Sequence, residues 1–189
     1  KEILRESGSF VIPAWAPDGQ RVVYGRESAG IWMLDTRSGR KRQLIVLENP
    51  TGPVVSRDGR ILYDQSSHQT DLYIQNVDGT NQQRLTFHTQ DNFVAQISPD
   101  GSHVAYSSTR TGNAEVWIID RASGTERQLT NRPSEDWSPC WSPDGREIAF
   151  SSNEGGTYRL WIASVDGGGL RQVGDRIAAG DPRWAPDGS

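Results

Sequence analysis

The chain has 189 residues, a formal net charge of −4 from 20 basic and 24 acidic side chains, and 34% hydrophobic residues. One domain over 1–189 is the natural reading of that length. There is no basic stripe for a nucleic acid and no apolar run near the roughly 18–20 residues that cross a bilayer.

In chain order, residues 1–7 show no signal-peptide pattern, and Leu4 aligns with Leu44 of a later fourth-strand segment. A first blade is predicted over about 9–46. It contains a turn at Trp15–Gly19, a second strand with Val22, Val23 and Tyr24, a third with Ile31 and Trp32, and a fourth with Arg42, Gln43 and Leu44. The second blade, about 50–86, repeats the plan with Ile61, Leu62 and Tyr63, then Leu72, Tyr73 and Ile74, then Gln83, Arg84 and Leu85. The third, about 91–130, has Val104, Ala105 and Tyr106, then Val116, Trp117 and Ile118, then Arg127, Gln128 and Leu129. In the fourth, about 135–173, strict alternation would put Trp137, Pro139 and Trp141 on one face of the first strand. Ile148 and Phe150 follow on the second strand, Leu160, Trp161 and Ile162 on the third, and Leu170–Val173 form a short fourth. Residues 177–184 read as one more first strand, so 177–189 with 1–7 would make a partial blade.

One phrase punctuates these units. Trp15–Gly19, Val55–Gly59, Ile97–Gly101, Trp141–Gly145 and Trp184–Gly188 each end in Asp-Gly, and their aspartates at 18, 58, 100, 144 and 187 are 40, 42, 44 and 43 residues apart. Proline presets φ at the second position of a turn, and a type I turn favours glycine at the fourth. Short strands recurring at this interval mark a β-propeller. The expected fold is therefore all-β, a propeller of four-stranded antiparallel blades, four complete and one partial. The aromatics at 32, 73, 117 and 161 are expected to pack between blades. The partial blade would own its innermost and outermost strands but not the two between, so the chain reads as a segment of a larger ring.

Pro139, Trp141, Ser142, Pro143, Asp144 and Gly145, followed by an apolar strand, an aromatic strand and Arg127-Gln128-Leu129-Thr130-type endings, resemble the TolB-like propeller repeat. The likeness runs from about Ser9 to Gly188, with departures at Val55, Arg57, Ala95 and Ile97 that keep turn chemistry and apolar bulk. The resemblance implies a non-enzymatic module that binds a protein or peptide partner, in the periplasm or otherwise outside the cytoplasm, as part of a bacterial envelope or sensor protein. Two alternatives stay open. One is the non-catalytic gating propeller of a prolyl-oligopeptidase-type serine peptidase, and the other is a propeller carbohydrate lyase, which the missing histidine cluster disfavours.

No catalytic constellation stands out. There is no Gly-x-Ser-x-Gly elbow and no phosphate-cradling loop, and neither cofactor nor metal is expected. His68, His88 and His103 fall in different loops, with His103 on the opposite face, so they read as hydrogen-bonded surface imidazoles. The single cysteine, Cys140, reads as a small packed residue. The repeated turn aspartates read as local hydrogen-bond acceptors. The loops entering the third and fourth blades hold the candidate binding patch: His88, Asp91 and Asn92 in one, Arg132, Glu135 and Asp136 in the other. Asp91 and Glu135 share a slot, and carboxylates gathered near a channel mouth can hold a cation, a basic side chain or a peptide amine.

An open arc exposes an unpaired edge and apolar blade faces, which drive association. Light scattering at high concentration is expected to give a mass above that of the monomer, and a monodisperse monomer would contradict this.

Overall fold

The computed structural model describes residues 10–26, 29–47, 52–66, 70–174 and 180–188. Blade 1 comprises β1 (Phe10–Trp15), β2 (Arg21–Arg26), β3 (Gly30–Asp35) and β4 (Lys41–Ile45). Blade 2 comprises β5 (Val54–Val55), β6 (Arg60–Ser66), β7 (Thr70–Asn76) and β8 (Gln83–Arg84). Blade 3 comprises β9 (Asn92–Ile97), β10 (His103–Ser108), β11 (Glu115–Asp120) and β12 (Glu126–Gln128). Blade 4 comprises β13 (Asp136–Trp141), β14 (Glu147–Ser152), β15 (Arg159–Ser164) and β16 (Arg171–Gln172). Each blade is an antiparallel meander in chain order. The helical content among the described residues is a single 3₁₀ turn, Glu154–Gly156.

The repeated phrase makes the first turn of each unit, and its geometry is the expected one. The glycine N–H returns to the carbonyl three residues earlier, as in Gly101 to Ser98 at 2.9 Å and Gly145 to Ser142 at 2.9 Å. All five glycines have positive φ, for example +77° at Gly101, where a side chain would be strained. The aspartate fastens the turn. Asp100 Oδ1 accepts from Ser98 Oγ at 2.6 Å and from Ser102 N–H at 3.0 Å, and Asp144 Oδ1 accepts from Ser142 Oγ at 2.7 Å and Arg146 N–H at 3.0 Å. A second glycine is fixed by close approach. Gly30 starts β3 at φ +83°, and a Cβ there would run into the Ile45 carbonyl oxygen, beside the point where the β3–β4 register slips.

The first strands hold a departure from simple alternation. The pairing of β13 with β14 slips between Trp137 and Cys140, and β9 slips likewise against β10. Val94 at φ 50° and Ser138 at φ 54° mark the extra residues. A one-residue slip moves all later side chains to the other face. Trp137 stands opposite Ser151, whereas Trp141 stands opposite Ile148. The two tryptophans therefore lie on opposite faces of blade 4, which corrects the expectation that they share one.

The second strands also differ from a half-buried pattern. Ile148, Ala149, Phe150, Ser151 and Ser152 are all buried, and so are Val104 through Ser108. Small residues between the large ones let neighbouring layers approach both faces.

The chain divides into two units, Lys1–Thr86 and Phe87–Ser189. In the first, Val23, Ile31, Ile45 and Leu47 of blade 1 cluster with Ile61 and Tyr63 of blade 2. In the second, Ala105, Val116 and Ile118 of blade 3 cluster with Trp141, Ile148, Phe150 and Ala163 of blade 4, and Leu129 and Trp161 pack on the margin. The Trp141 indole N–H also donates to the Gln96 carbonyl at 3.2 Å. One repeat later the Trp184 indole N–H donates to the Cys140 carbonyl at 3.0 Å. Residues 180–188 thus lie against blade 4 through the same contact. They pair with no strand among the described residues, so the expected first strand at 177–184 is not seen at 180–184. Residues 1–7, 175–179 and His68 lie outside the described residues.

The Ser98 hydroxyl, then the Ser102 backbone N–H and hydroxyl, hold the Asp100 carboxyl at about 2 against an ordinary 3.8. This stabilisation is complete above about pH 4 and is lost as pH falls toward 2, where the folded form takes up its proton. The urea midpoint is expected to fall over that window. The Asp100→Asn variant should show a shallower fall, and an unchanged slope would contradict the role of the turn carboxylate.

Candidate binding site

The loops entering blades 3 and 4 hold the six residues singled out by sequence, and the backbone confirms their equivalence. Asn92 pairs with Ser108 as Asp136 pairs with Ser152. One residue earlier, the Asp91 carbonyl accepts from Thr109 N–H at 3.3 Å and the Glu135 carbonyl from Asn153 N–H at 3.2 Å. The side chains do not form one solvent-facing patch. Asn92 and Asp136 are fully buried. Asn92 Nδ2 donates to the Gln90 carbonyl at 2.9 Å. Asp136 accepts from Ser134 Oγ at 3.1 Å and forms an ion pair with Arg132 at 3.2 Å. A buried carboxylate persists when paired and hydrogen-bonded.

Arg132 is itself occupied. Its guanidinium lies 4.5 Å from the centre of the Trp161 ring, donates to Ser152 Oγ at 3.1 Å and pairs with Glu154. His88 Nε2 meets Glu126 Oε2 at 2.7 Å. Arg110 bridges the same pair and lies 3.2 Å above the Trp117 ring. Burial pushes the Glu126 carboxyl up, but hydrogen bonds from Arg110 and His88 more than offset this and hold it below the usual range. Thus Asn92, Arg132 and Asp136 hold the loops in place, and His88 belongs to a side-chain ladder along blade 3. Of the third-strand aromatics expected to pack between blades, Trp161 packs on the cluster of blades 3 and 4 and Tyr73 on that of blades 1 and 2; the arginines over Trp32, Trp117 and Trp161 were not anticipated.

Glu135 is different. Its Oε2 accepts from the Tyr158 hydroxyl at 2.8 Å and from the Trp137 indole N–H at 3.3 Å. That hydrogen bond to Glu135 raises the Tyr158 phenol above its ordinary value. Trp137 stacks on Phe93, with centroids 4.6 Å apart and planes inclined by 18°. Beside it lies a cavity of about 270 Å³ lined by Trp137, Ser138, Ser151, Tyr158, Gly180 and Asp181. Ser138 Oγ donates to Asp181 Oδ1 at 2.7 Å, an orientation made by the bulge at Ser138. Sequence reasoning missed Trp137, Tyr158 and Asp181 as lining residues. The available signal was Tyr158, which stands where blade 3 has Ala114.

A second feature was legible only as a repeat. Thr130 Oγ accepts from Val116 N–H at 2.9 Å and donates to the buried Glu115 carboxylate at 2.5 Å. In blade 2, Thr86 Oγ accepts from Leu72 N–H at 3.0 Å and donates to Asp71 at 3.1 Å. Each threonine ties the end of a blade to the start of its third strand. Burial raises the Glu115 carboxyl, and the hydrogen bonds from Thr130, Arg132 N–H and Asn113 counter that rise.

Cys140 is buried, and burial raises its thiol. His103 contacts Ser102 Oγ at 2.6 Å and Asp120 at 3.6 Å. Among the described residues no group of three or more histidine, cysteine or acidic side chains could hold a metal ion, and no helix is long and apolar enough to cross a membrane.

Four-stranded meanders repeated at one register, packed face to face within each unit and tied by a recurrent indole hydrogen bond, define the blades of a β-propeller. The TolB beta propeller domain family matches residues 92–189. The chain belongs to that family. A protein TolB homolog of Chlorobium luteolum is 29% identical over 133 residues, 67% of this chain and 30% of that protein. The Tol-Pal system protein TolB of Chromobacterium violaceum is 37% identical over 60 residues, 32% of this chain and 14% of that protein. The chain therefore spans less than a third of the length of these curated relatives. The crystal structure of TolB from Acinetobacter baumannii superposes with a TM-score of 0.83 at 22% identity, covering 98% of this chain and 48% of that one. At that identity the likeness establishes the fold.

Thr130→Val keeps shape but leaves the Val116 N–H and the Glu115 carboxylate without their buried partner. It should destabilise the protein by about 1–3 kcal/mol, measured by urea denaturation. A change below the precision of the midpoint would mean that the repeated Leu-Thr pair is not a structural tie.

Proposed function

We propose that the chain is a non-catalytic recognition module of a bacterial protein, binding a protein or peptide partner outside the cytoplasm. The observation that carries this reading is the arrangement around Glu135. A carboxylate and two part-exposed aromatic rings sit on a rigid sheet, at the loops where propellers present their recognition surfaces. Half-exposed tryptophan and tyrosine with a polar handle are the side chains that anchor protein interfaces. Family membership supports the reading, since the relatives include Tol-Pal system proteins. The extracytoplasmic setting rests on the same kinship. Asp91, exposed in the slot equivalent to Glu135, adds a second carboxylate on the neighbouring blade and favours a partner with basic groups.

Immobilised chain is expected to capture a discrete protein from a bacterial envelope fraction. The Asp91→Ala/Glu135→Ala variant should hold it at least about fivefold more weakly, the scale of losing charge complementarity at a rim. Capture of nothing specific would reject the binding reading. Equal capture by both forms would remove the two carboxylates from the surface.

A further inference from the structure

The cavity beside Trp137 exists because a row of rings stops. Phe93, Trp137 and Gly180 occupy one slot in successive repeats, spaced by 44 and 43 residues, in step with Ile97, Trp141 and Trp184. Trp137 covers Phe93 in a stack at 4.6 Å. Gly180, the next member, has no side chain to cover Trp137, and the space it leaves is the cavity of about 270 Å³. That volume lies just below the range of about 300–1,000 Å³ common for drug-sized ligands and suits a single side chain. Its walls are an indole face, the Tyr158 ring and two serines, and its charge is negative. Asp181 replaces the neutral Ser138 of the preceding repeat, and Glu135 accepts hydrogen bonds from the indole N–H and the phenol O–H of the two rings. Asp181 Oδ1 is engaged by Ser138, and Oδ2 has no hydrogen-bond partner among the described residues.

A flat, cationic group that stacks on indole and offers N–H donors at its edge matches these walls. The protein uses that pairing three times inside its own fold: Arg110 lies 3.2 Å from the Trp117 centroid, Arg132 4.5 Å from Trp161 and Arg26 5.6 Å from Trp32. The geometry points to a guanidinium pocket: the arginine side chain of a bound peptide stacks on Trp137 and pairs with Asp181. This assignment rests on the peptide-binding function proposed above and names the chemistry the pocket selects. An apolar ring would fill the same gap but would gain no charge-assisted contact from the exposed Asp181 carboxylate beside it.

The test uses small probes and the full chain, so it reads the pocket whether or not a protein partner has been captured. N-acetyl-arginine amide is titrated against the chain while the Trp137 indole N–H resonance is followed by NMR. Saturable binding is expected, with the neutral isostere N-acetyl-citrulline amide at least about tenfold weaker, because the charge-assisted contact is lost. Asp181→Asn should erase that preference. Gly180→Phe should abolish binding, since a Cβ at Gly180 meets nothing within 4 Å and the new ring completes the stack. Thermal melts verify that both variants fold, and the citrulline comparison stands without any variant. No saturable binding to the unaltered chain, equal affinity for arginine and citrulline probes, or tighter binding of N-acetyl-phenylalanine amide would each overturn the assignment. Tenfold preference for free arginine over the blocked amide would overturn the peptide source. Partner capture with no probe binding would remove this pocket and leave the recognition function standing.

Discussion

A four-stranded meander has two faces and cannot bury either alone, and the rest of the structure follows from that constraint. In the unit from Phe87 onward, blade 3 offers Ala105, Val116 and Ile118, and blade 4 covers them with Trp141, Ile148, Phe150 and Ala163. Burial of such side chains contributes about 1.5–3 kcal/mol each, the driving force that a single blade lacks. The second strands of blades 3 and 4 are consequently buried on both faces, and alanine and serine stand there among the larger residues. The indole of Trp141 adds direction to an otherwise non-directional layer. A buried indole N–H is stabilised by an acceptor, and the Gln96 carbonyl supplies one to Trp141. The same bond from Trp184 to Cys140 shows that a single tryptophan in the repeated phrase performs two tasks. It fills the layer and sets the spacing to the preceding first strand.

Polar groups at the loops divide by the same logic. Asp136, Asn92 and Arg132 are drawn into the packed body, where Asp136 meets Ser134 and Arg132, Asn92 Nδ2 meets the Gln90 carbonyl, and Arg132 also lies over Trp161. Glu115 and Asp71 are matched by threonines at the ends of their blades. What remains for recognition is the set that packing does not consume. In the proposed reading this is Glu135 with Trp137 and Tyr158, beside the cavity that Gly180 leaves open. Arginine has a double place here. Over the third-strand rings Trp117 and Trp161 it serves as internal structure, and beside the first-strand Trp137 it is the proposed guest.

Much of the fold was legible because its signals are local. The Pro-Asp-Gly turn acts over four residues, so Ser98 to Gly101 and Ser142 to Gly145 behave as their composition says. The interval of 40 to 44 residues places sixteen strands within a few residues of where they lie, although β5, β8 and β16 are two residues long. Legibility failed where a single backbone residue changed register. The bulge at Ser138 leaves no mark in an alternation count, yet it puts Trp137 and Trp141 on opposite faces. The candidate site suffered in the same way. Asp91 and Glu135 were found as equivalents because equivalence is a property of spacing, whereas Asp136 and Asn92 looked like loop residues until their burial was seen.

The sequence by itself determined the repeat, the antiparallel blades, the turn chemistry and kinship with the TolB propellers, since these rest on contacts between residues near in the chain or at a constant interval. Only the tertiary structure decided which polar side chains are spent inside and which face outward. Those outcomes depend on what lies across a sheet, 20 to 45 residues away: Arg132 over Trp161, Trp141 on Gln96, and an empty slot at Gly180 opposite Trp137. A glycine looks alike in every sequence, and it becomes a cavity only when its neighbours are aromatic rings.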